Sequence, residues 1–314
     1  MKYRVGVDIG GTSIKAGIVD ENFNIIKWDS VKTPDTFEKS MKAIADLVSG
    51  LAAEMGLDAD SFSCVGVGSP GFVVPETGVL VFSGNTNWKN VPMRDELKKY
   101  ISVPLYFGND ANCAIAGETV AGAAKGKKHV LMVTLGTGVG TGVIINGKLF
   151  AGGDGFGTEM GHTPFIFGGA KCGCGQKGCL EAYASATALI RQTKEALEKN
   201  PESKMSEWAK EHGEVNGQTA FDCAKEGDAA AIEVVEQYAR YVAAGLGGFI
   251  NTFRPELIIM GGGVSNAGDF LLDKIRSYLP EYTFASDIIG TADVQKAILG
   301  NDAGIIGAAY LDRM

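Results

Sequence analysis

An α/β fold of two similar lobes is what this 314-residue sequence predicts, on three observations. Short apolar runs alternate with stretches of helical period. A unit of strand, glycine turn and strand opens the chain and returns near its middle. Polar residues stand directly after strands, where open α/β sheets bind ligands.

The opening unit is Tyr3 to Asp8, the turn Gly10-Gly11-Thr12 and Ile14 to Asp20, with a third strand over Asn24 to Val31. From Thr36 to Met55, Phe37, Met41, Ile44, Val48 and Leu51 recur at helical spacing, which predicts an amphipathic helix ending near Gly56. Cys64 to Gly68 and Val103 to Phe107 read as strands. Asn109-Asp110 follows the second of these and precedes an Ala-rich helix from Ala111 to Ala124. The opening pattern then recurs as a strand over His129 to Leu135, a turn over Gly136 to Gly140 and a strand over Val143 to Ile145. Asn146-Gly147 marks a hairpin into Lys148 to Ala151. Ala186 to Glu226 is polar and helical in pattern. A long helix over Ala229 to Phe253 stops at Pro255, a strand over Leu257 to Met260 ends in Gly261-Gly262-Gly263, and a further helix begins near Asp269.

A chain of this length buries substantial cores and suits one two-lobed unit or two domains. Its formal charge of -8 disfavours nucleic acid as a partner, whose electrostatic footprint is a basic surface. Nothing at the start resembles a secretory leader, and no apolar run approaches the roughly 20 residues that span a membrane, so a cytoplasmic protein with no membrane partner is expected. Three of the six cysteines, Cys172, Cys174 and Cys179, lie close together, which suits a metal site in a reducing compartment better than a disulfide framework. Cys64, Cys113 and Cys223 sit alone in apolar surroundings, as core thiols do.

Asp8-x-Gly-Gly-Thr-x-x-Lys15 puts two glycines where the backbone bends and its N–H groups can approach a phosphate, with Thr12 and Lys15 adding a hydroxyl and a cation. It is not a P-loop, because a P-loop joins a strand to a helix and has its Lys directly after the second Gly. The competing reading is a plain glycine-rich hairpin. Gly136 to Gly142 and Gly261 to Gly263 repeat the theme, and three such clusters favour a nucleotide held by two lobes. Asp8 suits Mg²⁺ bound through water, or is an ordinary strand-end aspartate. His162, Cys172, Cys174 and Cys179 make a Cys₃His set for a closed, structural Zn²⁺; a redox pair is the alternative, against which stands the absence of Cys-x-x-Cys spacing. Glu159 and Glu181 flank that set without being needed as ligands and are candidates to face a substrate. Asp110 is the candidate general base for an alcohol attacking a phosphoryl group, the ordinary reading being a helix N-cap.

These motifs resemble the ROK family of sugar kinases over nearly the whole chain. The carriers are Asp8-Ile-Gly-Gly-Thr-Ser-Ile-Lys15, Gly68-Ser-Pro-Gly71, Gly108-Asn-Asp-Ala-Asn112, Leu135-Gly-Thr-Gly-Val-Gly140, Glu159-Met-Gly-His162 and Cys172-Gly-Cys-Gly-Gln-Lys-Gly-Cys-Leu-Glu181. The resemblance implies an actin-like (ribonuclease H-like) two-lobed α/β fold with internally duplicated β-sheet domains. The expected division is a smaller N-terminal lobe, residues 1–117, with a C-terminal helix over 303–314 packed on it, and a larger lobe, 118–302, carrying the zinc loop and the nucleotide contacts. It further implies Asp110 as general base and sugar contacts at Gly71, Gly84, Asn85, Asn109, Glu159, His162 and Glu181. His162 would use one ring nitrogen for zinc and offer the other to the sugar. Nucleotide contacts fall on Gly10, Gly11, Thr12, Thr137, Gly138, Gly261, Gly262 and Gly263, beside Asp8 and Lys15.

Repressors of the family carry a helix-turn-helix region ahead of the kinase-like part. Only Met1 to Val7 precede Asp8 here, so a kinase is expected. Asn87-Trp-Lys-Asn-Val-Pro92 and Gly263-Val-Ser-Asn-Ala-Gly-Asp-Phe270 are most similar to the glucokinase branch, which implies ATP-dependent conversion of glucose to glucose 6-phosphate. N-acetylmannosamine, N-acetylglucosamine, allose and fructose kinases share the same catalytic set, and a sugar-sensing protein without turnover would share the pocket. The resemblance also implies a homodimer.

Overall fold

The computed structural model describes residues 2–314; residue 1, the first of the expected N-terminal lobe, lies outside the described residues. The chain opens with β1 (Tyr3–Ile9), β2 (Ser13–Val19) and β3 (Ile25–Lys32), an antiparallel meander. β1 and β2 are buried almost continuously, as strands covered on both faces are. α1 (Phe37–Glu54) starts at Thr36, whose side-chain oxygen accepts the Lys39 N–H at 3.3 Å, and turns Phe37, Met41, Ile44, Val48 and Leu51 into the core with Val5, Val7 and Ile14. β4 (Phe62–Ser69) follows. A small antiparallel sheet of β5 (Phe72–Val74), β6 (Val79–Phe82) and β7 (Lys89–Pro92) comes next, then α2 (Met93–Leu97), β8 (Leu105–Asn109) and α3 (Asp110–Val120). β4 and β8 add in parallel to the meander, giving the sheet order β3-β2-β1-β4-β8.

The second half repeats this plan. β9 (Val130–Leu135), β10 (Val139–Ile145) and β11 (Lys148–Leu149) answer to β1, β2 and β3. After them come α4 (Glu181–Ala184), α5 (Ala186–Lys199), α6 (Lys204–Glu211), α7 (Thr219–Lys225) and α8 (Ala229–Phe253). β12 (Leu257–Gly261), α9 (Asp269–Tyr282), α10 (Ser286–Ile289), β13 (Asp293–Lys296) and α11 (Asp302–Ala309) complete the chain's elements. The second sheet runs β11-β10-β9-β12-β13, with β12 and β13 parallel, so the expected internal duplication is present strand for strand. α8 is capped by Asp228, which accepts the Ala231 N–H at 2.8 Å, and ends at Arg254 in the left-handed region, directly before Pro255.

Two compact units divide the residues. One runs up to Leu131 and takes in Gly142–Thr158 and Ala297–Met314; the other comprises Met132–Thr141 and Glu159–Lys296. In the first, Gly307 against Cys113, Gly117 of α3 against Ala303, and Gly6 of β1 against Ile305 and Ala309 let α11 lie close to α3 and β1. Arg4 forms an ion pair with Asp312 and lies over the Tyr310 ring at 4.7 Å, so the first strand and the last turn hold each other.

The helix expected over Ala111 to Ala124 ends at Val120, and Glu118 is the reason. Its side chain is fully buried, one oxygen accepting the Ala123 N–H at 2.8 Å and the other the N–H groups of Ile298 and Leu299 at 3.0 and 2.9 Å. The carboxylate captures backbone donors that helix continuation would have used differently. The C-terminal helix expected over 303–314 spans Asp302–Ala309 and passes at Tyr310 into a short 3₁₀ turn, Leu311–Arg313. Sequence reading missed the β5-β6-β7 sheet and β13, whose strands are only three or four residues long. Among the described residues no helix is long and apolar enough to cross a membrane.

Candidate functional site

Strand register assembles the first group of residues. Parallel pairing sets Asp8 beside Gly68 and Ser69 beside Asn109, so the C-terminal ends of β1, β4 and β8 deliver Asp8, the Ser69-Pro70-Gly71 corner and Asn109-Asp110 to one edge of the sheet. Lys15 on β2 stands opposite Asp8. The Gly10–Thr12 turn closes through the Gly10 N–H to the Ser13 carbonyl at 2.9 Å. Gly11 faces the backbone of Asn85, which brings the predicted Gly84-Asn85 positions beside that turn; both are exposed.

The cap of α3 is Asn109, not Asp110. Oδ1 of Asn109 accepts the N–H groups of Ala111 and Asn112 at 2.8 and 3.4 Å, and its Nδ2 donates to the Gly71 carbonyl at 3.0 Å. Asn109 thereby ties the Gly71 corner to the helix start, a link between residues far apart in sequence. Gly71 has φ +100°, and a Cβ there would stand 2.1 Å from the Phe82 carbonyl oxygen, so only glycine fits. Asp110 is left at the first helical position. Its carboxylate accepts the adjacent Ala111 N–H at 2.9 Å, and the residue is exposed.

The protein mass around Asp110 pushes its carboxyl above the usual aspartate range, the N–H of Ala111 opposing this in part. Asp8 is also pushed up, first by burial and then by the charge of Asp110, with Lys15 opposing. A carboxyl whose ionisation is opposed by a neighbouring carboxylate suits a cation, and Asp8 could hold Mg²⁺. Cys113 is fully buried near both, and Cys64 and Cys223 are buried as well, as expected of core thiols. A groove lined by Pro75, Arg94, Lys98 and Tyr106 lies toward the other end of β8 and includes none of these residues.

The second group lies in the other unit. The ligand atoms of His162, Cys172, Cys174 and Cys179 all fall within 4.8 Å of one another. Cys172 Sγ is 3.7 Å from His162 Nδ1, and Cys174 Sγ is 3.7 Å from Cys179 Sγ. Tetrahedral zinc with ordinary bond lengths spaces N and S ligands roughly 3.5–3.8 Å apart, so these four fit a closed zinc site. Convergence of all four side chains also distinguishes the set from a lone thiol pair. Glu159 immediately precedes the turn Met160–His162, which is anchored by buried Met160 and by the Met160 N–H to Thr141 Oγ1 at 3.2 Å. Glu181 touches both candidate sites of this unit: Oε1 accepts from the Cys172 thiol at 3.2 Å, and Oε2 accepts the Val139 N–H at 3.0 Å. A metal displaces the thiol proton and so leaves Oε1 of Glu181 free.

The turn after β9 is held tightly. Gly136 N–H donates to the Gly138 carbonyl at 3.0 Å, the Ala186 N–H to the Gly136 carbonyl at 2.8 Å, and Thr187 Oγ1 to the Thr137 carbonyl at 2.8 Å. A Cβ on Gly138 would stand 2.3 Å from Glu181 Oε2. Gly262 packs against the backbone of Leu135, so Gly261–Gly263 at the end of β12 lie alongside that turn. Sequence reading missed Glu118, Ala186 and Thr187. Glu118 had a signal, a carboxylate on the apolar side of an Ala-rich helix with glycine four residues on; Ala186 and Thr187 had none.

The sequence model of the ROK family matches residues 4–314. The chain is 38% identical over 316 residues to a glucokinase of Streptomyces coelicolor, covering 100% of this chain and 98% of that one. It is 37% identical over 308 residues to a glucokinase of Thermotoga maritima, covering 98% and 96%. Its fold is similar to the crystal structure of a ROK family glucokinase from Streptomyces griseus in complex with glucose and AMPPNP, with a TM-score of 0.82, 36% identity and 98% of each chain covered. With its duplicated sheets, its Cys₃His loop and these likenesses along its full length, the chain belongs to the ROK family.

Proposed function

We propose that this protein is an ATP-dependent hexose kinase that phosphorylates a sugar hydroxymethyl group, with glucose as its substrate and glucose 6-phosphate as product. The observation that carries the reading is the freedom of Asp110: Asn109 caps α3 in its place, and a carboxyl shifted upward stands at the strand-end edge beside Asp8 and the Gly71 corner. The likeness to glucokinases along the whole chain supports glucose over the other hexoses and N-acetylhexosamines.

Asp110 accepts the proton of the hydroxymethyl group as its oxygen attacks the γ-phosphorus, and the bond from that phosphorus to the bridging oxygen breaks to release ADP. A general base held above its ordinary pKa is better matched to this transfer. Gly71, Gly84, Asn85, Asn109, Glu159, His162 and Glu181 orient the sugar hydroxyls. Asn109 acts partly through the Gly71 corner, because its amide already bonds there. Backbone N–H groups of Gly10–Thr12, Thr137-Gly138 and Gly261–Gly263 receive the phosphates, with Lys15 adding positive charge. Mg²⁺, when held by Asp8, neutralises charge on the transferring phosphates. Zn²⁺ on His162, Cys172, Cys174 and Cys179 is structural, since four protein ligands leave no open position. As the family resemblance implies, we expect a homodimer, which light scattering checks.

The test is ADP release with glucose, mannose, fructose, allose, N-acetylglucosamine and N-acetylmannosamine. Turnover with glucose at the highest kcat/KM is expected. Sugar binding without ADP release on any of the six would overturn the kinase reading in favour of a sugar sensor.

A further inference from the structure

We infer that the zinc knot anchors the Gly136–Gly140 turn through Glu181, so that metal occupancy and nucleotide affinity are linked. The inference deepens the proposed function, since it rests on Thr137-Gly138 being nucleotide contacts. Three hydrogen bonds grip this turn from the stretch that follows the zinc ligand Cys179. Glu181 Oε2 accepts the Val139 N–H at 3.0 Å, Ala186 N–H donates to the Gly136 carbonyl at 2.8 Å, and Thr187 Oγ1 donates to the Thr137 carbonyl at 2.8 Å. Oε1 of the same carboxylate lies 3.2 Å from Cys172 Sγ, a thiol contact that metal binding releases, so the link from the knot to the turn runs through the chain that leads from Cys179 to Glu181.

What fixes that carboxylate is the stretch on which it sits. α4 is four residues long, and a helix so short has no stability of its own. One end is secured by the Tyr238 hydroxyl, which donates to the Ala184 carbonyl at 2.6 Å. The other end begins just after Cys179, where the knot secures it together with buried Leu180, whose N–H donates to the Thr163 carbonyl at 3.1 Å. The intervening loop is glycine-rich and largely exposed between Gly173 and Lys177, and the metal is what converts it into a fixed support. With zinc in place the turn is preorganised and its remaining N–H groups bind phosphate without first being ordered. Without it, Glu181 loses its bearing and the turn must be ordered on binding. Linkage makes the effect reciprocal: AMPPNP strengthens zinc binding by the factor by which zinc strengthens AMPPNP binding.

Calorimetric titration of AMPPNP into zinc-loaded and zinc-free protein tests this, with no turnover involved. The expected result is a Kd roughly tenfold weaker without zinc, a coupling of ordinary size. In Glu181→Ala the ratio of the two Kd values should fall to within about twofold of unity. Equal affinities with and without zinc, or a tenfold ratio that survives in Glu181→Ala, would overturn the inference. Should the zinc-free protein not stay folded, cobalt-loaded protein answers the same question. AMPPNP is then expected to shift the visible absorption of the Cys₃His cobalt site in the wild type and not in Glu181→Ala, and an unshifted wild-type spectrum refutes the link. Failure of zinc-loaded wild type to bind AMPPNP at all refutes the nucleotide reading itself, a result distinct from the others.

Discussion

Replacing Asp110 with Asn separates chemistry from binding. The cap of α3 belongs to Asn109, and an amide oxygen at position 110 still accepts the Ala111 N–H, so Asp110→Asn leaves the helix start intact. Affinities for sugar and AMPPNP should therefore change little, while kcat loses the general-base contribution of roughly 10²- to 10⁴-fold, or about 2.7–5.4 kcal/mol in the barrier. The pH profile provides a second readout. Catalysis needs the deprotonated carboxylate, and a raised pKa means that this form is lost at a higher pH on acidification than for an ordinary aspartate. The acidic limb of kcat/KM, which reports the free enzyme, should accordingly lie above the usual aspartate range and disappear from the residual activity of Asp110→Asn. Stability moves the opposite way. A folded-state pKa above the unfolded one favours the protonated native form, so whatever Asp110 contributes is present at low pH and lost as pH rises through the folded pKa. At neutral pH the charged carboxylate is a liability to the fold, and Asp110→Asn should melt at a higher temperature. Coupled-enzyme kinetics from pH 4 to 9 and a thermal melt suffice; a kcat within about tenfold of wild type would refute the role of Asp110.

Glu118→Ala removes a buried carboxylate that accepts three partly buried backbone N–H groups and should cost roughly 3–5 kcal/mol in urea unfolding, with the damage centred on the end of α3 and the 298–299 segment. A loss below 1 kcal/mol would show that solvent replaces the carboxylate. Gly138→Ala pushes a Cβ against Glu181 and should raise the KM for ATP by roughly tenfold, the value of one displaced hydrogen bond to a charged group. Elemental analysis should find about one zinc per chain, and Cys174→Ser should lose it, with Tm falling by about 5 °C and sugar affinity weakened. A chelator-washed protein that is zinc-free, folded and fully active would remove the metal from the account.

The features legible in the sequence were those whose cause is local. Glycines at 10, 11, 136 and 138 announce their turns because sharp backbone bends need them, and the spacing of Phe37, Met41, Ile44 and Leu51 writes the buried face of α1 directly. The close spacing of Cys172, Cys174 and Cys179 announces their cluster, which the fold completes with His162 into a set that could hold a metal. What escaped reading depends on partners distant along the chain. Neither the Asn109 bond to Gly71 nor the Glu181 bond to Val139 leaves a local trace, and both decide what a predicted site residue does. The β5-β6-β7 sheet escaped for another reason. Its strands are too short to show an alternating pattern, and positive φ at Asn87 and Asn90 breaks the run into β7.

The seam formed by α11 has a consequence for how the protein is made. Residues 302–313 cover surfaces that come far earlier in the chain: Ile305 and Ala309 share a buried cluster with Val19, and the Arg4 guanidinium waits for Asp312. A nascent chain therefore emerges with one apolar side of its first sheet unroofed, and that side stays open until α11 has been made. Folding of that unit is thus completed only once α11 has left the ribosome, and premature termination upstream of α11 yields a sticky fragment for chaperones and proteases to clear.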